Sequence, residues 1–260
     1  MVEKVNQAQS DFSAYYSSFS ELTEQQRKNF EIKYEHSLRV AQLCQSIAEE
    51  LGWEEDSQNI AYITGLFHDI GRFKQLVEFG SFNDTQSVDH AQYSVEVLQE
   101  KGFLNSFSEE QQAGILDAIL YHNKRELPGS LAGNALDYAK LLRDADKLDI
   151  LKVITDYYGN PKAEPNHTLT WDLPRGSVVS PAVAKQIIAG KLVDKELVES
   201  ELDIKIMQLS WVFDLNFKPS FKILMGKRFP EKIYATLSKN DTVIQIYRTV
   251  KVYSENKVVG

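Results

Sequence analysis

Leu66-Phe67-His68-Asp69-Ile70-Gly71-Arg72 closes an apolar run with helical spacing. Read backwards, Phe67, Ile63 and Ile60 recur at helical intervals, which predicts a helix starting near Asp56 or Ser57. That helix carries an imidazole and a carboxylate side by side to its inner end, where Gly71 loosens the backbone. An isolated His-Asp pair means nothing; its neighbours decide the reading.

Upstream, Val40, Leu43, Cys44, Ile47 and Leu51 form an apolar stripe between Asn29 and Leu51, and Gly52 is a stop. His36 lies one turn before Val40 on that stripe. Downstream, Glu78 to Ser87 is expected to be a loop, with Gly80, Asn83 and Asp84. Helix resumes near Val88 and carries Ala91, Val95 and Leu98 inward before Gly102, with His90 in its first turn. Ser108-Glu109-Glu110-Gln111 reads as a capping box, and the helix after it places Ile115, Ala118, Ile119 and His122 on one face. After Pro128-Gly129, a further helix carries Ala135, Ala139, Leu142 and Asp146 on one side.

The chain is therefore expected to be all-α. Pro161, Pro165, Pro174, Gly176 and Pro181 interrupt the pattern between Gly159 and Pro181, a stretch suited to a lid or connector. It separates a helical metal-binding domain, residues 1–158, from a C-terminal helical extension, residues 159–260, expected to pack on the same core. Helices are predicted over 181–215 and 219–237, and Thr242 to Val259 fits either helix or strand.

Composition narrows the function classes. Of 260 residues, 43% are hydrophobic and 25% charged, which suits a globular protein with a sizeable core. The net charge of −8 argues against nucleic acid or anionic membrane as partner. A single cysteine, Cys44, excludes an intrachain disulfide and thiolate metal sites, and its place on an apolar face suits a buried structural thiol. Neither a signal peptide nor a membrane span is read, so the expected location is the cytoplasm.

Four of the five histidines fall on inward faces or helix ends. Each buried imidazole needs partners for two ring nitrogens, and the inward carboxylates of Asp69 and Asp146 need a cation to offset desolvation. A divalent metal meets both needs, and His with Asp suits Mn, Fe, Co, Ni or Zn, with Mg also compatible.

The ordered set His36, His68-Asp69 and Asp146, with Asp144-Ala145-Asp146-Lys147-Leu148-Asp149 at its end, resembles the HD-domain metal-dependent phosphohydrolases from about Tyr34 to Leu151. The resemblance implies an HD-type helical core in which His36, His68, Asp69 and Asp146 hold one metal. His90 and His122 stand where relatives place ligands to a second metal, bridged by the aspartate of the pair. Asp144 is the fallback for Asp146, and His167 belongs to no motif. The implied reaction is attack of a metal-activated water on a small phosphorylated, nucleotide-like substrate. Asp69 would be central to it, and Arg72 and Lys124 are candidate phosphate-binding cations, Arg72 also a candidate catalytic residue.

Subgroup signatures are missing. No Gly-Tyr-Pro motif follows His122-Asn123-Lys124-Arg125, no Glu-Asp pair follows the His-Asp, and Arg72 stands where the triphosphohydrolases carry histidine. Two other readings share the ligand set: a di-iron oxygenase of the inositol-oxygenase type, and a non-catalytic, metal-stabilised ligand-sensing module.

Overall fold

The computed structural model describes residues 1–160, 162, 171 and 173–259. Pro161, Pro165 and His167 lie outside the described residues. Every regular element among the described residues is helical, as the periodicity predicts, and no described helix is long and apolar enough to cross a membrane. The chain forms two compact units, Met1–Asp146 and Lys147–Gly260.

The first unit contains α1 (Val2–Ser17), α2 (Glu24–Glu50), α3 (Glu55–Phe67), α4 (Gly71–Phe79), α5 (His90–Lys101), α6 (Glu109–Tyr121) and the first part of α7 (Gly133–Gly159). α1 lies ahead of the segments read as helical above. It buries Phe12 against Tyr34 and Phe73, with ring centroids 5.3 and 5.8 Å apart. α2 starts before Asn29 because Thr23 and Gln26 form a capping box. The predicted box at Ser108 is formed with Gln111 and starts α6.

Two glycines allow the close packing that builds the site. A Cβ on Gly65 would lie 2.8 Å from the Cα of Ala41, so α3 rests almost backbone to backbone on α2. A Cβ on Gly71 would lie 2.5 Å from Ser94 N, and Gly71 N donates to Ser94 Oγ at 3.0 Å. Gly71 thus does more than loosen the chain after the His-Asp pair: it lets the start of α4 lie against α5.

The second unit contains α8 (Pro181–Ile188), α9 (Glu201–Ser210), α10 (Lys218–Gly226), α11 (Phe229–Ala235) and α12 (Asp241–Val259). The continuous helix expected over 181–215 is broken. Gly190 takes a left-handed φ of 71°, and the chain re-enters helix at Ser200, whose side chain caps α9. The stretch 219–237 is broken too, at Arg228, with φ 56°. Buried Asp203 ties the starts of α8 and α9 together, accepting from Ser180 N at 2.9 Å and Ser180 Oγ at 2.7 Å. The C-terminal segment is helix rather than strand, since Val243, Ile246 and Val250 bury one face at helical spacing.

Candidate metal centre

His36, His68, Asp69, His90, His122 and Asp146 converge in the first unit. The helices present them in different ways. His36 lies in the middle of α2, and Asp146 projects from α7. His68 and His122 are the residues that end α3 and α6, and His90 is the first residue of α5. All four imidazoles are buried, at 0–7% exposure, where a neutral ring must still satisfy two nitrogens.

The hydrogen bonds fix which nitrogens face inward. His68 Nδ1 lies 2.7 Å from Gly65 O, and His122 Nδ1 lies 2.7 Å from Ile119 O. A carbonyl only accepts, so both Nδ1 atoms carry the proton and each neutral ring presents an Nε2 lone pair to the interior. His90 Nδ1 lies 2.5 Å from Asp84 Oδ2. The inward Nε2 atoms then meet in pairs: His36 and His68 at 3.2 Å, His90 and His122 at 3.1 Å. Two ligands about 2.1 Å from a shared cation sit roughly 3.0–3.4 Å apart, so both pairs have ligand spacing.

Asp69 stands between the pairs. Its Oδ2 is 3.8 Å from His36 Nε2 and 3.5 Å from His68 Nε2. Its Oδ1 is 3.6 Å from His90 Nε2 and 4.0 Å from His122 Nε2, and this buried atom has no hydrogen-bond partner. A buried carboxylate oxygen without a donor is costly unless a cation meets it. Asp146 Oδ1 joins the first pair, 3.1 Å from His36 Nε2 and 3.9 Å from His68 Nε2. His36, His68 and Asp146 form one group of metal-ligand spacing and His68, Asp69 and His122 another; Asp144, fully buried on α7, is in neither. The donor set fits divalent metal.

The electrostatics agree. Burial opposes ionisation of Asp69, but Lys33 foremost, then His68, Arg72 and His90, outweigh it and hold the carboxyl well below its usual range. Burial likewise works against Asp146, and the hydrogen bond and charge of His36 override it. Burial, then His90 and His68, lower His122 to about 3, so this ring stays neutral at physiological pH. Burial is also the main reason the Cys44 thiol is pushed up, as expected of an unreactive core cysteine.

The two candidate phosphate-binding cations stand differently. Arg72 Nη1 donates to Gln75 Oε1, Phe82 O and Asp84 Oδ1 at 2.7–2.8 Å, and its Nε faces Asp69 Oδ1 at 3.6 Å. Lys124, on the turn after α6, is paired with Asp89 and remains partly exposed.

Three residues joining the site carried no recognised signal. Lys33 Nζ lies 2.7 Å from Asp69 Oδ2; its position one turn before His36 on the same stripe was the legible clue. Asp84 comes from the loop between α4 and α5, where periodicity says nothing. Arg143, buried on α7, donates to the carbonyls of Tyr121 (3.4 Å), His122 (3.3 Å), Lys124 and Arg125 (3.2 Å), closing the end of α6 that holds His122.

A 57-residue stretch is 40% identical to the 3'3'-cGAMP-specific phosphodiesterase 1 of Vibrio cholerae serotype O1. The alignment takes in 20% of this chain and only 13% of that relative. No solved structure matches. Residues 34–151, which contain all six candidate ligands, match the HD domain, so that segment is similar to HD-domain proteins.

Proposed function

We propose that this protein is a metal-dependent phosphohydrolase that cleaves a phosphate ester of a small, nucleotide-like substrate at a centre for two divalent cations. The observation that carries this reading is the division of Asp69, one oxygen toward His36 and His68 and the other toward His90 and His122. Asp146 completes the first half. When bound, such cations supply a nucleophilic water at neutral pH and Lewis-acid stabilisation of phosphoryl charge.

The chain's own residues have separable tasks. His68 and His122, one from each pair, present lone pairs that are already oriented, so little reorganisation is needed at these two rings on loading. Lys33, with a side chain 21% exposed beside Asp69, is the cation placed to turn toward a substrate phosphate once Asp69 is engaged. Lys124 is a second, outer cation for the same phosphate. The relative's name supports including a cyclic dinucleotide among the substrates tested.

The test is a panel of phosphomonoesters and phosphodiesters, cyclic dinucleotides among them, assayed with stripped protein after each divalent metal is added back. Release of phosphate or a nucleotide product that depends on metal is the expected outcome. No hydrolysis with any metal, together with dioxygen consumption by a two-iron form, would replace this reading with the oxygenase.

A further inference from the structure

Three histidines of the centre are held by two different devices. His68 and His122 end their helices, and each donates Nδ1–H to the carbonyl three residues back. The helix itself sets those rings. His90 begins its helix, where no preceding turn supplies a carbonyl. Its Nδ1 meets Asp84 Oδ2 instead, from the loop that joins α4 to α5.

Asp84 is in turn held from α4. Its Oδ1 accepts from Arg72 Nη1 at 2.8 Å and Gln75 Nε2 at 3.1 Å. Gln75 is fully buried, and its amide also donates to Ser87 Oγ at 2.8 Å and Val88 O at 3.0 Å. Arg72 adds the carbonyl of Phe82 at 2.7 Å. Both ends of the loop are thereby fastened to α4 by two side chains, and the carboxylate between them points at His90.

We propose that Asp84 is a positioning residue that holds His90 as its Nδ1–H tautomer, and that Arg72 and Gln75 act through Asp84. The half of the centre made by His90, His122 and Asp69 Oδ1 is then assembled by the loop, whereas the other half is carried by helices. This assigns Arg72 to building the site instead of gripping phosphate. The inference rests on the two-cation reading for its metal readout, but the tautomer of His90 tests it independently.

Metal-free, ¹⁵N-labelled protein near pH 8 would be examined by long-range ¹H–¹⁵N correlation, with His90 assigned by its loss in His90→Gln. The parent should show His90 with a protonated Nδ1 and a bare Nε2. In Asp84→Ala that pattern should give way to the Nε2–H form or a mixture, with Asp84→Asn in between, since its amide retains an acceptor. Titration of the stripped proteins with Mn(II) is the second readout. The parent should take two equivalents, and Asp84→Ala and Arg72→Ala should weaken the second by about 10- to 100-fold, the first changing less than about threefold. An unchanged His90 tautomer in Asp84→Ala overturns the positioning role. A changed tautomer with two equivalents bound at parental affinity overturns assembly by the loop. A parent that takes one equivalent retires the two-cation reading, and the tautomer then decides Asp84 alone.

Discussion

Replacing Lys33 by methionine should destabilise the metal-free protein and tighten its grip on metal. Lys33 Nζ lies 2.7 Å from Asp69 Oδ2, with the two side chains only 21% and 4% exposed. At an effective dielectric of 20, the gross attraction at 2.7 Å is about 6 kcal/mol. Most of it is offset by desolvation, and a hydrogen bond to a charged group contributes about 1.5–3 kcal/mol net. A cation taking Asp69 Oδ2 must compete with that ammonium. Removing the ammonium therefore lowers the stability of the empty state by roughly 2 kcal/mol and makes loading more favourable by the same amount. The expected readings are a fall in Tm of about 4–8 °C for stripped Lys33→Met and metal affinity about 10- to 100-fold tighter by calorimetric titration. The methionine keeps the length and apolar stem, so lost packing contributes little. Affinity equal to or weaker than the parent's would refute the reasoning, because Lys33 could not then be occupying a cation's place.

Asp69→Ala removes the oxygens facing both histidine pairs, and should abolish high-affinity binding of both equivalents; full metal content by elemental analysis would sink the bridging assignment. Gly71→Ala would put a methyl 2.5 Å from Ser94 N and force α4 away from α5, at a cost of about 1–3 kcal/mol in urea unfolding, and an unaffected midpoint would show that the contact is slack. The metal-free protein should weaken in mild acid. His122 has a folded value of about 3, below its unfolded value of 6.5, so the unfolded chain binds the extra proton in that window and stability falls as pH drops through it. Between pH 7 and 5 this one histidine accounts for about 2 kcal/mol, and His68, lowered mainly by burial, adds in the same direction. Asp69 and Asp146 lose their contribution only below the ordinary carboxylate range, so they do not blur that window. Equal urea midpoints at the two pH values would contradict a buried neutral His122.

The all-α fold and the inward set of candidate ligands were legible because both are local properties. Apolar recurrence at helical intervals follows from 3.6 residues per turn, and it placed Val40, Ile63 and Ile115 in the core and the four histidines inward. Histidine and aspartate announce metal chemistry through their donor atoms alone. Breaks at Gly190 and Arg228 were harder to read, because the apolar pattern continues across them while the backbone does not. What only the tertiary structure decided is how those donors are divided and held. The two oxygens of Asp69 face different histidine pairs because Gly65 and Gly71 let α3 and α4 approach α2 and α5 at backbone distance. Lys33 reaches Asp69 across 36 residues of chain, and Asp84 reaches His90 from a loop with no periodicity. Such contacts depend on distances between elements, and a one-dimensional pattern carries only the direction in which each side chain leaves its own helix.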